Sequence, residues 1–289
     1  MIIKKFNIKW INNCNYTNYT SISLWKNFVL ANKINSNTIQ IFDRENGKYL
    51  NDILDKDLGF FEIKNTDDNL IINDILFRID SFLGTCQVYN LKLNILIGIF
   101  GFKNLKLPKC LSGFYQDEKY IIFIYDDISK SIIKYEINIF ESNINNIKKF
   151  NFISLPEINI SNILIDLELN RILINDQKKS KLFILDITGK LKKIIDIEIS
   201  SLIIHGKYYI YSDIEKDTNM IHLICRKNLN YIMSYMSKIL KNITYMTSDN
   251  NDIYVLDNDC TLAKLSIENN NNNLLLIIIG LIISKILIK

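Results

Sequence analysis

Residues 171–195 read RILINDQKKSKLFILDITGKLKKII, which divides into three short apolar runs separated by polar turns. The first run ends in Asn175-Asp176, the second ends in Asp186, and Thr188-Gly189 stands before the third. Asn, Asp and Gly favour tight turns, because they tolerate or stabilise backbone conformations that most residues avoid. The β-branched and aromatic residues between the turns favour strands. The stretch therefore predicts three strands joined by short turns.

The first part of this pattern, an apolar run that ends in Asn or Asp, recurs along the chain. Six such runs begin at residues 28, 70, 120, 171, 208 and 253, at intervals of 37 to 51 residues. A loose period of this size, built from strands, is typical of a β-propeller, a ring of four-stranded blades around a channel. We therefore predict an all-β chain with a single propeller of six blades in residues 1–268. Seven blades is the alternative, if residues 81–118 hold an extra one.

The first repeat shows all four strands that a blade needs. We assign them to residues 21–25, 27–34, 38–43 and 48–53, with Asn46-Gly47 in the last turn. The sixth repeat runs out after Cys260–Ile267, before a fourth strand. The run Ile3–Trp10 precedes the first repeat and has no other obvious partner, so we predict that it pairs beside Cys260–Ile267 and closes the ring. The alternative is an independent edge strand or a frayed terminus.

Three segments are less regular than these repeats. We predict that residues 81–101 hold two strands of the second repeat. Residues 138–151 are rich in Asn and Lys, which predicts an inserted surface loop. Tyr231–Leu240 fits a helix with one apolar face, and it fits a twisted strand equally well.

Two runs, Thr38-Ile-Gln-Ile-Phe-Asp43 before Gly47 and Lys181-Leu-Phe-Ile-Leu-Asp186 before Gly189, resemble propeller blades of the WD40, PQQ and NHL kinds. In those families the third strand often ends in an aromatic or aliphatic residue plus Asp, and a turn with Gly follows. The chain has no Trp-Asp pair, no Gly-His pair and no PQQ-type Trp. The resemblance therefore implies the superfamily shape and no subfamily.

Charge and cysteine content exclude several function classes. The net charge of +4 is small for 289 residues, and the Lys residues are interleaved with acids, so we expect no nucleic-acid partner. The one tight basic cluster, Lys178–Lys181, fits a solvated turn, with a phosphate or anionic-lipid contact as the alternative. The five cysteines include no C-x-x-C, so we expect free thiols rather than a zinc site or thioredoxin-type chemistry.

The sequence offers no catalytic motif. Of its two histidines, His205 fits a turn before the strand of the fifth repeat and His222 lies in the apolar run Met220–Cys225, which predicts structural roles for both. No G-x-S-x-G, P-loop, H-E-x-x-H or G-x-G-x-x-G occurs. We therefore expect a binding protein rather than an enzyme, with no cofactor and no metal.

One set of residues is a candidate binding site, namely the acids predicted at the turns between the second and third strands of the blades. In equivalent blades these carboxylates repeat around one face of the ring, where they could bind a hard cation or a basic peptide. The competing interpretation is local, because Asp in a turn hydrogen-bonds its own backbone. The acids are Asp74, Asp126, Asp176, Asp213 and Asp257.

The C-terminal residues read as a separate apolar tail after an Asn linker at 269–273. Leu274–Ile288 is apolar except for Ser284 and Lys285, and as a helix it would span ~22 Å against ~30 Å of bilayer hydrocarbon. Local thinning and snorkelling lysines could absorb the difference, so we predict a membrane anchor within residues 274–289. The alternative is a terminal segment that packs against protein. The core anchor residues are Leu274, Leu275, Leu276, Ile277, Ile278, Ile279, Leu281, Ile282 and Ile283.

Together these features predict a non-enzymatic, protein-binding scaffold, tethered to the cytosolic face of an internal membrane. Three alternatives stay open: a membrane-bound GTPase exchange factor of the propeller type, a metal-dependent six-bladed hydrolase, and a soluble cytoplasmic subunit of a larger complex. The exchange factors that activate the Sar-type GTPase are similar in layout only. They carry a glycine-rich loop near the N-terminus, and residues 11–20 contain no glycine.

Overall fold

The computed structural model describes residues 4–14, 19–34, 36, 38–53, 66–213 and 220–269. Within these ranges the chain forms 24 β-strands in six antiparallel sheets of four strands each. The first strands of the six sheets lie next to one another around a central channel. The fold is therefore a six-bladed β-propeller, with strand a of each blade innermost and strand d outermost.

The blades follow the order of the chain, except that the N-terminal strand β1 (Lys4–Asn13) belongs to the last one. Blade 1 consists of β2 (Tyr19–Trp25), β3 (Phe28–Lys33), β4 (Ile39–Asp43) and β5 (Tyr49–Ile53). Blade 2 consists of β6 (Thr66–Ile72), β7 (Ile75–Asp80), β8 (Thr85–Asn90) and β9 (Ile95–Phe100). Blade 3 consists of β10 (Pro108–Gln116), β11 (Lys119–Asp126), β12 (Ser131–Phe140) and β13 (Asn143–Ser154).

The second half of the ring repeats this arrangement. Blade 4 consists of β14 (Ile160–Asp166), β15 (Arg171–Asp176), β16 (Lys181–Asp186) and β17 (Leu191–Asp196). Blade 5 consists of β18 (Ser201–His205), β19 (Tyr208–Ser212), β20 (Met220–Cys225) and β21 (Tyr231–Met236). Blade 6 consists of β22 (Ile243–Ser248), β23 (Asp252–Asp257), β24 (Thr261–Asn269) and β1.

The structure confirms ring closure by the N-terminal strand. β1 runs antiparallel to β24, with Phe6 opposite Ile267 and Asn13 opposite Thr261. The chain end thereby supplies the outermost strand of blade 6. Six blades is also confirmed, because residues 81–118 hold β8, β9 and β10, which belong to blades 2 and 3, rather than a blade of their own.

Two sequence predictions are wrong, and the structure decides between the two alternatives of a third. Residues 138–151 are not an inserted loop: they form most of the β12–β13 hairpin, in which Ile137 faces Ile147 across the strands. Their polar composition reflects the exposure of β13 as an outer strand. Tyr231–Leu240 was predicted to be either a helix or a twisted strand, and its first six residues form strand β21. The run Leu70–Asp74, taken as a second strand, is instead the end of strand a and the turn after it.

The apolar core lies between neighbouring blades, where the faces of adjacent sheets pack together. Strand b of each blade is covered on both faces, and every residue of β7, β19 and β23 is buried. A strand buried on both faces reads as a continuous apolar run instead of an alternating one. This is why the strand-b runs carry the repeat that is visible in the sequence.

The tail predictions fall largely outside the described residues. Asn269, the first residue of the predicted linker, is the last residue of β24. Residues 270–289, which include the predicted anchor, are outside the ranges given above. In the part of the chain that the structure describes, no helix is long and apolar enough to cross a membrane.

Candidate functional site

The innermost strands of five blades carry a β-bulge at equivalent places, near the residue where each strand begins. In β6, for example, Thr66 faces Asp80 and Asp68 faces Ile79, which leaves Asp67 as the extra residue. A bulge redirects a side chain that regular pairing would place elsewhere, and bulges often accompany binding sites. The bulge residues are Thr20, Asp67, Lys109, Ser161 and Thr244.

These bulges share one face of the ring. Each strand a begins at the face that carries the d–a loops and the b–c turns, which we call the b–c face; the opposite a–b face carries the a–b and c–d turns. Asp67 and Lys109 therefore lie where the central channel opens on the b–c face. Regular strand pairing resumes below them.

The central channel is a cavity of about 360 Å³ lined by the first strands of all six blades. A second cavity of about 450 Å³ lies at its mouth on the b–c face. Asp67, Lys109, Ser161 and Tyr245 line both cavities, so the two adjoin each other. This volume falls in the range of small-molecule sites, ~300–1,000 Å³.

Two adjacent carboxylates stand on the blade-2 side of the channel. Asp68 is half-buried; it accepts hydrogen bonds from the backbone N–H of Leu111 at 3.1 Å and of Asn69 at 2.8 Å. Burial raises the pKa of Asp68 to about 7, and the charge of Asp67 acts in the same direction. Burial also raises the pKa of Asp67, although hydrogen bonds from Ser81, including one from its backbone N–H at 3.1 Å, and the charge of Lys109 oppose this shift. The channel therefore holds carboxyl groups that gain from a positively charged partner.

The cation nearest to these carboxylates is itself engaged. The Nζ atom of Lys109 lies 2.8 Å from Oδ2 of Asp127. Lys130 donates to the other oxygen of Asp127 at 2.5 Å and to Asn159 at 2.7 Å. Although burial opposes its ionisation, hydrogen bonds from Lys109 and Lys130 lower the pKa of Asp127 to about 2. The blade-3 side of the mouth is therefore an ion-paired network.

Several buried polar side-chain atoms on the innermost strands have no hydrogen-bond partner among the described residues. Both amide atoms of Asn69, which is 8 % exposed, are in this state. The same is true of Oδ1 of Asn162 and Oγ of Ser23. Buried polar groups without a partner are rare, because each lost hydrogen bond costs about 1–3 kcal/mol. All three residues line the channel.

The acids that the sequence singled out do not form one ring. Asp126, Asp176 and Asp257 each end strand b of a blade, and Asp213 directly follows one. Asp74 was placed wrongly: it lies in the two-residue a–b turn of blade 2, on the opposite face. An apolar run followed by Asn and Asp has the same sequence pattern before an a–b turn as before a b–c turn. The blade-2 residue that ends strand b is Asp80.

The carboxylates at the ends of strand b hold neighbouring backbone in place. Asp126 accepts hydrogen bonds from the N–H groups of Lys106 and Leu107, at 3.0 and 2.9 Å. Asp257 accepts from the N–H of Lys241 at 3.0 Å and of Thr261 at 2.7 Å. The local, turn-capping interpretation therefore describes their geometry.

The other predicted acids are engaged as well. Asp176 accepts from the N–H of Lys178 at 3.2 Å. Asp213 lies 3.3 Å from Nε2 of His222. Asp74 accepts from the indole of Trp25 at 2.9 Å, and this bond lowers its pKa. Across the described residues, no group of three or more His, Cys, Asp or Glu side chains could hold a metal ion.

The histidines and cysteines have structural surroundings. His205 is buried, and its Nδ1 lies 2.9 Å from the carbonyl oxygen of Asp249. His222 stacks on Tyr211 with ring centres 4.6 Å apart. All five cysteines are free thiols.

The b–c face also carries an exposed apolar patch beside the channel mouth. Phe82 in the b–c turn of blade 2 is 75 % exposed, Ile128 in the b–c turn of blade 3 is 57 % exposed, and Phe102 in the loop between them is 45 % exposed. We call these three residues the blade 2–3 patch. Sequence reasoning missed them, because exposed and buried apolar residues look alike in a chain that is 48 % apolar.

Contacts between the segments that carry these side chains hold the three residues in one region of the b–c face. A Cβ atom on Gly84 would stand 2.4 Å from the carbonyl oxygen of Leu105, so the b–c turn of blade 2 lies against the 101–107 loop. The N–H of Asp127 donates to the carbonyl of Leu107 at 2.9 Å, which ties the b–c turn of blade 3 to the same loop. Lys103 and Lys106 of that loop are exposed.

Comparison with known proteins supports the fold and assigns no subfamily. No protein-family model and no curated protein matches the sequence. The β-propeller domain of Cps50 (Swd1) from Myceliophteria thermophila, a WD40 propeller, is similar at a TM-score of 0.57 and 9% identity, over 91% of this chain and 99% of that one. A computationally designed protein, Ika8, is similar at a TM-score of 0.53 and 10% identity, over 90% of this chain and 99% of that one. At these identities the likeness shows the fold alone.

Proposed function

We propose that this chain is a non-enzymatic scaffold that binds a protein partner through the blade 2–3 patch. The observation that carries the proposal is the exposure of Phe82, Phe102 and Ile128 around one loop on the b–c face. Large exposed apolar side chains that lie together are typical of protein interaction sites. A propeller supports such a site well, because its blades hold the loops in fixed positions.

The surroundings of the patch favour a particular kind of partner. Lys103 and Lys106 are exposed on the same loop, so an apolar centre lies next to positive charge. Interfaces commonly combine an apolar centre with a polar rim, and complementary charge increases both specificity and the rate of association. The expected partner therefore presents apolar side chains next to acidic ones.

The test compares two double variants of the full-length chain. In Phe82→Asp/Ile128→Asp the patch is charged, whereas in the control Phe140→Asp/Leu167→Asp two exposed apolar residues of the a–b face are charged instead. Each tagged chain is recovered from its own cells, and bound proteins are quantified by mass spectrometry. We expect the proteins recovered with the unaltered chain to fall at least tenfold in the patch variant and to stay in the control. Equal recovery with both variants, at equal melting temperature, would reject the patch as the binding surface.

The scaffold proposal extends to membrane attachment through the apolar tail. Its support is the composition of Leu274–Ile288 together with the position of Asn269, which lies opposite Lys4 at the a–b face. A chain that continues from Asn269 leaves the propeller on the face opposite the blade 2–3 patch, so a tether there would leave the patch open to a partner.

Alkaline extraction of membranes tests the tether. The full chain is compared with a chain that ends at Asn269, which keeps all of β24. We expect only the full chain to stay with the membrane fraction. If neither chain stays there, the tail is not an anchor, and its role would be to pack against another protein.

A further inference from the structure

The strand pair that closes the ring ends in two cysteines that lie opposite each other. The register of β1 and β24, in which Asn13 faces Thr261, places Cys14 opposite Cys260 when it is continued by one residue. The N–H of Cys14 donates to the carbonyl oxygen of Cys260 at 3.0 Å, so the backbone pairing does extend to these two residues. In the strand pairings of the described residues, none of the other three cysteines faces a cysteine.

The backbone spacing at this pair suits a disulfide. Opposite residues in an antiparallel pair have Cα atoms ~4.5–5.5 Å apart. Disulfides join residues whose Cα atoms are ~4.4–6.8 Å apart. A bond between Cys14 and Cys260 therefore fits the strand spacing that the ring closure already provides.

Both sulfur atoms lie against the same residue, Tyr19 at the start of blade 1. The thiol of Cys14 hydrogen-bonds the side chain of Tyr19, and the N–H of Tyr19 donates to the sulfur of Cys260. Burial raises the pKa of Cys14 to about 11, and the neighbouring Cys260 acts in the same direction. The two thiols are therefore neighbours in space as well as in register.

A cavity beside the pair gives small molecules access to it. This cavity, of about 230 Å³, is lined by Cys14, Tyr19 and Phe42 among others. Cys14 and Cys260 are both half-buried, whereas Cys86 and Cys110 are buried. A small thiol or disulfide reagent can therefore approach the pair in the folded chain.

We propose that Cys14 and Cys260 form a reversible disulfide that closes the propeller ring covalently when the surrounding thiol pool is oxidised. With glutathione disulfide as the oxidant, the thiolate of Cys260, the less buried of the two, attacks one sulfur and releases one glutathione thiolate. The thiolate of Cys14 then attacks the Cys260 sulfur of this mixed disulfide and releases the second glutathione. The two cysteines are oxidised, glutathione disulfide is reduced to two glutathione molecules, and the two thiol protons pass through solvent to the released thiolates.

The bond would stabilise the fold because of the loop that it closes. A link from Cys14 to Cys260 encloses nearly the whole propeller, and stabilisation by a disulfide increases with loop length. Burial raises the pKa of both cysteines, which keeps the thiolate fraction small near neutral pH. We therefore expect the pair to respond to sustained rather than brief oxidation. This device does not depend on the proposed scaffold function.

The experiment incubates the folded, full-length chain at pH 8 with glutathione disulfide, or with reduced glutathione as the control. Remaining thiols are alkylated, and peptides are identified by mass spectrometry without reduction. We expect a peptide pair linked through Cys14 and Cys260 in most oxidised chains and in none of the control. The oxidised chain should melt at a higher temperature, and dithiothreitol should reverse this rise.

Two variants make the test specific to the pair. Cys14→Ser should lose the rise in melting temperature on oxidation, whereas Cys225→Ser, a change at a half-buried cysteine of blade 5, should keep it. The linked peptide is measured on the unaltered chain, so this part of the test does not depend on how a variant folds. The proposal is overturned if Cys14 and Cys260 stay unlinked while Cys225 reacts with glutathione. It is also overturned if the linked chain melts no higher than the reduced one, or if Cys14→Ser shows the same rise.

Discussion

The joint between blades 6 and 1 and the wall of the central channel both contain polar side chains in an otherwise apolar fold. At the joint these side chains have hydrogen-bond partners, whereas in the channel wall some have none among the described residues. At the joint, the Trp10 indole donates to the carbonyl of Arg44 at 3.1 Å, and the amide of Asn12 donates to the carbonyl of Gly47 at 2.5 Å. In the wall of the channel, Asn69 has no hydrogen-bond partner for its amide among the described residues. We infer that the joint is organised for stability, whereas the channel wall contains a buried amide that does not contribute to it.

Side chains extend the joint beyond the strand pairing of β1 with β24. The buried Lys264 lies 3.1 Å from the carbonyl of Arg44 and 3.3 Å from Asp252. Arg44 in turn bonds the hydroxyl of Tyr254 at 2.7 Å and pairs with Asp249. Blade 1 is therefore fixed to blade 6 by contacts from β1, from β24, and from β23 with the turn before it.

The largest effect should follow removal of β1. A chain that lacks residues 1–11 loses most of the outer strand of blade 6 and, with it, Trp10. We expect the cooperative melting transition of the whole propeller to be lost, measured by circular dichroism. A chain that lacks only residues 1–3 keeps β1 and should melt like the full chain. If the larger deletion also melts normally, β1 does not close the ring in the manner described.

Alanine substitutions at Gly47, in the joint, and at Gly206, outside it, test how much the joint contributes to stability. Gly47 has φ +72°, and a Cβ atom there would stand 2.4 Å from Cε3 of Trp10. Gly206 has φ +55°, but its Cβ atom would meet nothing within 4 Å. We expect Gly47→Ala to lower the free energy of unfolding by about 3 kcal/mol and Gly206→Ala by about 1 kcal/mol. Equal losses in urea denaturation would show that the Trp10 contact does not contribute.

Much of the fold is predictable because its signals are local. The strand-b runs are apolar throughout since both faces are covered, and the turns of blades 1 and 4 carry Gly47 and Gly189, both with positive φ. The outer strand β13 was mistaken for a loop, because an exposed strand has the polar composition of a loop. Local pattern therefore identifies buried strands better than exposed ones.

The candidate site is much less predictable. A bulge such as that at Asp67 exists only relative to the partner strand, so no property of β6 alone reveals it. The same limit explains the error at Asp74, since the a–b and b–c turns of a blade use the same turn residues. Phe82 and Phe102 come together through the packing of two loops, which is a tertiary property.

The buried carboxyl group of Asp68 should make stability depend on pH. Its pKa is about 7 in the folded chain against 3.8 for the unperturbed group, so between these pH values the folded state binds more protons than the unfolded state. Stability therefore falls as the pH rises from ~4 to 7. A shift of this size corresponds to about 4 kcal/mol, and we expect about half of it after relaxation.

Chemical denaturation at pH 5 and pH 8 measures this effect. The unaltered chain should lose more stability between the two pH values than Asp68→Asn, which cannot ionise at this position. An identical loss in both chains would show that ionisation of Asp68 does not cause the pH dependence of stability.

The smallest effect is the most direct test of the difference between the two regions. Asn69→Leu in the channel wall replaces an amide that has no partner among the described residues, whereas Asn12→Leu at the joint removes a hydrogen bond to Gly47. The free energy of unfolding at pH 8 is measured for both variants by urea denaturation. We expect Asn69→Leu to raise it by about 1 kcal/mol and Asn12→Leu to lower it by about 1 kcal/mol. A loss of stability in both variants would contradict the account, because Asn69 would then serve the fold as Asn12 does.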